Sequence, residues 1–221
     1  MSSREEIRSG ARRVARRREI AEQLEQAVRD LIAAGEPYAT LSVERMMRQA
    51  GLSRSTFYAY FADKSALLRH WGAQVHGEVR ETAGGAWWLI GRGATRDQVR
   101  QALGQSVRIY VPHSPLMRIV SQAAAYDADL RAQLDAEMSD HIAQLARHIR
   151  LGQAGGWIDP TLRPTQTAGW LIRMAERVSD TVLVGIAPGP ELDAQIDAFT
   201  EVVWSTLYVL PDPADRPPTG G

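Results

Sequence analysis

An all-α fold is expected for this 221-residue chain on three observations. Apolar residues recur at spacings of three and four along most of its length. No stretch alternates apolar and polar residues as a strand does, and there is no internal repeat or sustained heptad. Glycines and prolines punctuate the ends of the periodic segments. The first helix is expected from Val14 to Ala34, with Val14, Ile20, Leu24, Ala27, Val28, Leu31 and Ile32 on one side, stopped by Gly35 and Pro37. Ser42 caps a second helix whose inward face is Val43, Met46, Met47 and Ala50. Gly51 supplies the turn, since glycine reaches positive φ without strain. Ser53 caps a very short third helix ending near Tyr60, and Asp63 caps a long fourth through Leu67, Leu68, Trp71 and Val75. Residues 95–111 continue the pattern until Pro112 and Pro115, and a short helix follows. A long helix then runs from about Asp127 to Gln153, with Leu130, Leu134, Met138, Ile142, Leu145 and Ile149 along one side. Residues 164–185 and 191–210 are the last two, about nine helices in all. The tail 211–221 is too rich in proline and glycine to fold and is expected to be disordered.

Composition narrows the function. Close to half the residues are apolar and about a quarter charged, ordinary for a globular protein. No apolar run approaches the roughly 18 residues that span a bilayer, and the arginine-rich start lacks the apolar core of a secretory signal. Cysteine is absent, which removes disulfides, thiolate catalysis and cysteine-type zinc sites; a cytoplasmic location is the expectation. The net charge of zero hides an uneven distribution. Residues 1–80 hold 14 Arg and Lys against 10 Asp and Glu, and the first eighteen residues alone hold seven Arg and two Glu. A basic N-terminal third on an acidic remainder suggests a polyanion-facing module on a carrier. Residues 1–13 read as a disordered basic arm.

Two short helices joined by a glycine turn, the first buried and the second presenting polar groups, form a helix-turn-helix arrangement. Val43, Met46, Met47, Leu52, Phe57 and Phe61 would make its small core. Arg54, Ser55, Thr56 and Tyr58 lie at the front of the second helix, where that motif reaches base edges in the major groove. Tyr58 and Tyr60 can hydrogen-bond phosphates. Lys64, the one lysine in the chain, stands in the first turn of the next helix, where free amides already favour an anion. The same geometry also occurs in proteins that bind no nucleic acid, so a helical ligand-binding protein with degenerate or no DNA binding is the alternative.

The segment "LSVERMMRQAGLSRSTFYAYFADKSALL" (41–68) closely resembles the DNA-binding domain of the tetracycline-repressor (TetR) family. That pattern runs from a Ser/Thr-capped helix through A-G-[VIL]-S to T-[FL]-Y-x-[YH]-F-x-x-K-x-x-L. It is met by Ala50, Gly51, Leu52, Ser53, Thr56, Phe57, Tyr58, Tyr60, Phe61, Lys64 and Leu67. The resemblance implies base or phosphate contacts for Thr56, Arg54 and Ser55, and backbone clamps for Tyr58, Tyr60 and Lys64. It implies phosphate contacts for Thr40 and Ser42 at the start of the second helix. It also implies a helix-turn-helix domain over 14–62 and a ligand-binding and dimerisation domain over 63–210. The partners would be a palindromic double-stranded operator, a second copy joined through the last two helices, and a small hydrophobic effector that releases the repressor from DNA. No cofactor, metal or membrane is implied.

Over 100–208 the order "QAA", "MAER" and "VVWSTLY" looks like the subgroup of the ethionamide-resistance regulator, which has a narrow, largely apolar tunnel. Where that relative has two ligand-binding asparagines, this chain has Ile172 and Ala175, which points to a greasier ligand. On that basis the pocket would be lined by Val107, Tyr110, Val111, Met138, Ile142, Leu145, Ile172, Met174, Glu176 and Trp204. The large apolar groups of the carrier, Trp87, Trp88, Met117, Tyr126, Trp157 and Trp170 among them, suit either a pocket or a core. Glu176 and Arg177 interrupt an apolar helix; a ligand anchor, a local ion pair and a contact to a second subunit are all open for them. Catalysis is not expected. The chain lacks G-x-G-x-x-G, Walker and G-x-S-x-G motifs. His141 and His148 are seven residues apart rather than three or four, and read as surface histidines.

Overall fold

The computed structural model describes residues 2–88, 91 and 94–208, with side chains from residue 8 and excluding 82–88. Among the described residues there are nine α-helices, two short 3-10 turns and no strand. In order these are α1 (Ser2–Ala33), η1 (Tyr38–Thr40), α2 (Val43–Gln49), α3 (Arg54–Tyr60), α4 (Lys64–Trp88), α5 (Arg96–Tyr110), η2 (Val111–His113), α6 (Ser114–Ala123), α7 (Ala128–Gly155), α8 (Pro164–Thr181) and α9 (Pro190–Leu207). The tail 211–221 and the side chains of Trp87 and Trp88 lie outside what is described.

Local chemistry explains most of the boundaries. The Ser42 hydroxyl accepts from the Arg45 amide at 3.1 Å, and that of Ser53 from the Thr56 amide at 3.1 Å. Asp63 accepts from the Ala66 amide at 2.6 Å. Thr95 and Gln98 form a reciprocal capping box at the start of α5. Gly51 has φ +67°, the left-handed conformation that the turn between α2 and α3 requires.

Two boundaries differ from expectation by four residues or more. Helix α1 begins at Ser2, twelve residues before the expected start, so residues 2–13 continue the helix instead of forming a separate arm. Arginine, alanine and glutamate are good helix formers and nothing before Gly35 stops the helix except a single tolerated Gly10. Helix α8 ends at Thr181 instead of 185, because the chain turns back through Leu183, whose amide reaches the Val178 carbonyl at 3.1 Å.

The chain forms two compact units. The first comprises residues 1–74 with 115–131, the second 75–114 with 132–221. The expected boundary at 62/63 therefore falls inside the first unit, which also takes in the apolar α6. In the first unit Ile20, Leu24 and Leu31 of α1, Met46 and Met47 of α2, Phe57, Phe61, and Leu67 and Trp71 of α4 are all buried. The Trp71 indole N–H donates to the Ala21 carbonyl at 3.0 Å, tying α4 to α1. Arg69 pairs with Asp127 at 3.9 Å. Val14, expected on the apolar side, is 70 % exposed, because the helices that cover α1 do not reach that far up it.

In the second unit, Val99, Ala102 and Leu103 of α5 pack with Leu145, Ala146 and Ile149 of α7, Ala168 and Leu171 of α8, and Val203 and Leu207 of α9. The contact between α5 and α9 is laced by three ion pairs: Arg96 with Glu201 at 2.9 Å, Arg100 with Asp197, and Arg108 with Asp193 at 2.7 Å. Gly104 is buried where α5 meets α9; a Cβ there would press on the movable Arg108 guanidinium at 2.8 Å and reach the Ile196 side chain at 3.4 Å.

Candidate nucleic-acid interface

The seven-residue α3 splits cleanly into two sides. Phe57 is fully buried, and Phe61, the residue after the helix, is nearly so. Their ring centroids are 5.7 Å apart. Arg54 and Ser55 are exposed, Tyr58 is 47 % exposed, and Thr56 and Tyr60 are half-buried. The aromatic pair fixes α3 in the unit, and the opposite side presents hydroxyl and guanidinium groups.

Those polar groups are preorganised by one another. The Ser53 hydroxyl lies 2.8 Å from both the Ser55 and the Thr56 hydroxyls. Each hydroxyl carries one donor and two acceptor positions, so this small network leaves capacity for an outside partner. Arg54 pairs with Glu44 of α2 at 2.7 Å, and its guanidinium stands 5.5 Å from the Tyr58 ring centroid. A solvent-exposed ion pair of this kind contributes little stability, so Arg54 can exchange Glu44 for a phosphate or a base edge at small cost. Sequence reasoning missed Glu44 as the residue that parks Arg54. It likewise missed Glu36, which receives Arg45 at 2.5 Å. Neither pair has helical spacing, so no local pattern could have shown them.

Thr40 and Ser42 are both exposed beside η1. The Thr40 hydroxyl donates to the Pro37 carbonyl at 2.9 Å, while Ser42 is engaged as the cap of α2. Lys64 departs from expectation. Its ammonium donates to the Tyr38 carbonyl at 3.0 Å and the Leu41 carbonyl at 2.8 Å, and lies 4.2 Å from the Tyr38 ring centroid. Partial burial lowers its pKa from the ordinary lysine value. Lys64 thus staples η1 to the start of α4 and steadies the segment that carries Thr40 and Ser42. Lys64→Met is expected to lower stability by about 1–2 kcal/mol through the lost charge-assisted bonds. In DNA titrations it should weaken binding without changing the salt slope, whereas a direct phosphate contact would reduce that slope by about 0.9.

A groove of about 180 Å³ on α5, α8 and α9 is lined by Val107, Met174, Ala175, Val178, Ser179, Leu183, Gln195, Ala198, Phe199 and Val202. Of the ten residues named from sequence, only Val107 and Met174 line it. Val111 and Leu145 are buried in the core, Ile142, Ile172 and Trp204 pack against it, and Met138 lies half-buried on α7. Apolar helical faces close on one another before they line a cavity. The Tyr110 hydroxyl donates to Asp180 at 2.9 Å. Glu176 is an exposed residue; partial desolvation and then the neighbouring Asp180 hold its carboxyl above the ordinary range.

A polar cluster also lies in the second unit. The His76 Nδ1 meets a Glu137 carboxylate oxygen, and the Gln133 amide donates to the other oxygen at 2.9 Å. The His141 ring stands edge-on to His76, with centroids 5.8 Å apart. Burial alone would raise Glu137, but its contact with His76 holds the carboxyl below the ordinary range. Burial, then the charge on His76, lowers His141. Among the described residues no group of three or more His, Asp or Glu side chains is arranged to hold a metal ion. His148, expected at the surface, is 4 % exposed, with its Nε2 2.8 Å from the Tyr208 hydroxyl. No described helix is long and apolar enough to cross a membrane.

This geometry has relatives. Residues 26–70, spanning α2, α3 and parts of α1 and α4, match the family model described as bacterial regulatory proteins, tetR family. No curated protein matches the chain. A TetR-family transcriptional regulator from Mesorhizobium loti superposes with a TM-score of 0.63 at 20 % identity, covering 90 % of this chain and 99 % of that one. One from Syntrophomonas wolfei gives 0.65 at 16 %, over 87 % and 98 %. PfmR from Thermus thermophilus, a TetR-family transcriptional regulator, gives 0.65 at 16 %, over 82 % and 96 %. At such identities the structural likeness establishes the fold, and the family match is confined to the helix-turn-helix module itself. What the chain shares with the bacterial regulatory proteins of the tetR family is that module, residues 26–70.

Proposed function

We propose that this chain is a sequence-specific DNA-binding transcriptional regulator that acts as a homodimeric repressor and leaves its operator when a small, largely apolar ligand binds. The observation that carries the reading is the division of α3: Phe57 buried, and Arg54, Ser55 and Tyr58 exposed on a helix held by its own cap and packed on α2. Arg54, Ser55 and Thr56 read base edges or adjacent phosphates, Tyr58 and Tyr60 hold the backbone, and Thr40 and Ser42 contact it beside η1. Lys64 serves by positioning.

A second copy pairs through α8 and α9. Supporting this, Trp170, Val182 and Val202 on or next to these helices are exposed at 79 %, 44 % and 43 %, and Val202 also lines the apolar groove. Two reading helices must stand one helical turn apart, about 34–36 Å, to engage both halves of a palindrome. An effector in the second unit that favours another spacing would lower operator affinity about 5- to 150-fold, the range of typical allosteric coupling.

Selection of binding sites from a randomised duplex pool by the full-length chain tests the reading. A palindromic consensus bound in a salt-dependent manner is expected. Tyr58→Ala and Arg54→Ala should each weaken binding by about tenfold or more, with the oligomeric state unchanged by light scattering. No enriched sequence, or one bound equally by both variants, would sink it.

A further inference from the structure

The carboxylate of Glu44 has a partner that helical spacing alone does not select. Glu44 lies in the first turn of α2, and Arg48 stands four residues further along, the spacing of an ordinary helical ion pair. The carboxylate turns instead to α3 and takes Arg54 Nη1 at 2.7 Å. Its own amide, Arg54 and the Ser42 hydroxyl together hold the Glu44 carboxyl below the ordinary range. The same Arg54 guanidinium stands 5.5 Å from the centroid of the Tyr58 ring. It is therefore held by two partners before any ligand arrives. Both members of the pair are exposed, so the pair contributes little to stability. Its effect is to fix the direction of the guanidinium.

A guanidinium carries its N–H donors in a flat fork, and Glu44 engages the Nη1 corner. The edge formed by Nε and Nη2 is left for an outside pair of acceptors. Guanine O6 and N7 match such an edge and are neutral, so contact with them requires no separation from Glu44. A phosphate fits the fork as well, but it is an anion. Glu44 has already neutralised the Arg54 charge, which weakens the pull of a phosphate, and the carboxylate is itself repelled by the strand. Hydrogen-bond geometry survives that neutralisation, whereas net attraction to a polyanion does not. The pair thus favours a neutral two-acceptor base edge over a phosphate.

We infer that Glu44 is a specificity-determining residue that acts through Arg54: it turns the free edge of the guanidinium toward the O6 and N7 of one guanine in the recognised site and denies it to neighbouring phosphates. This rests on the proposed DNA-binding function, to which it adds the base that is read and a residue that makes no base contact of its own. Glu44 is a positioning residue. A carboxylate elsewhere can accept directly from a cytosine amino group, but this one is already engaged by its own amide, by Ser42 and by Arg54. Specificity built this way depends on penalising the wrong contact as much as on making the right one.

The test uses the full-length chain, a duplex it has selected from a randomised pool, a scrambled duplex, and a set of duplexes each changed at one base pair. Arg54→Gln is expected to lose about tenfold of discrimination at one G·C pair. Glu44→Gln should lose most of the same discrimination at the same pair. It should also bind the scrambled duplex about fivefold more tightly at about 0.1 M salt, with a slope of log affinity against log salt steeper by about 0.9 per chain. In the Arg54→Gln background, Glu44→Gln should leave the base preferences unchanged. Glutamine is a good helix former and neither side chain is buried, so unfolding does not confuse the result. A merely structural Glu44 would weaken binding to every duplex alike and leave the preferences in place, which overturns the inference. An effect of Glu44→Gln on base preference that persists without Arg54 overturns it too, since the carboxylate would then read the base itself. So does an Arg54→Gln variant that discriminates every G·C pair as the wild type does. Each of these leaves DNA binding standing, whereas a wild-type chain that enriches no sequence overturns both.

Discussion

Trp71→Ala is expected to destabilise the N-terminal unit by about 3–5 kcal/mol and, with it, to abolish specific DNA binding. The indole is among the largest fully buried side chains, 1 % exposed, and truncation of a buried tryptophan to alanine leaves a cavity the surrounding helices fill only in part. It also removes a side-chain tie between α4 and α1, the N–H donated to the Ala21 carbonyl. Because α1 covers α2, and α2 holds α3 through the Gly51 turn, loosening α1 releases the reading helix although no DNA-facing residue has changed. Trp71→Phe separates the two contributions. It keeps most of the packing, loses the hydrogen bond and should cost about 1–2 kcal/mol. Urea unfolding followed by circular dichroism measures both. An unfolding midpoint for Trp71→Ala within error of the wild type would show that α4 is held to α1 by other means.

The same distinction between packing and local chemistry decides what was legible beforehand. Caps at Ser42, Ser53 and Asp63 and the turn at Gly51 were readable because each depends on residues three or fewer positions away. The buried aromatic pair Phe57 and Phe61 was readable because its four-residue spacing sets one helix face. Lys64 was not. Its charge and position suit a phosphate, and only the fold brings the carbonyls of Tyr38 and Leu41 within reach, more than twenty residues back along the chain. Val14 keeps the period of the apolar face but lies beyond the helices that could cover it. The place of a pocket is not legible for a related reason: periodicity marks which side of a helix is apolar, and says nothing of whether the facing helix closes on it.

His148 shows the consequence in its sharpest form, because a histidine expected to be solvated is buried against Trp157 and Tyr208. Burial lowers its pKa to about 4, so at neutral pH it is an uncharged ring. In the unfolded chain the same imidazole titrates near its ordinary value of about 6.5. The unfolded state therefore binds more protons between these values, and stability falls as the pH drops through that window. The expected loss is about 2 kcal/mol between pH 7.5 and pH 5, reaching about 3 kcal/mol at pH 4. His70 and His141, also lowered mainly by burial, add in the same direction. His148→Phe should remove most of the His148 share, measured as the difference in urea midpoint between pH 7.5 and pH 5. Tyr208→Phe provides the control. It deletes the hydroxyl 2.8 Å from Nε2 but leaves the ring buried, so the pH dependence should persist, because exclusion from water rather than the hydrogen bond keeps His148 neutral. A wild-type pH dependence in His148→Phe would place the acid sensitivity elsewhere, and its loss in Tyr208→Phe would make the hydroxyl the cause.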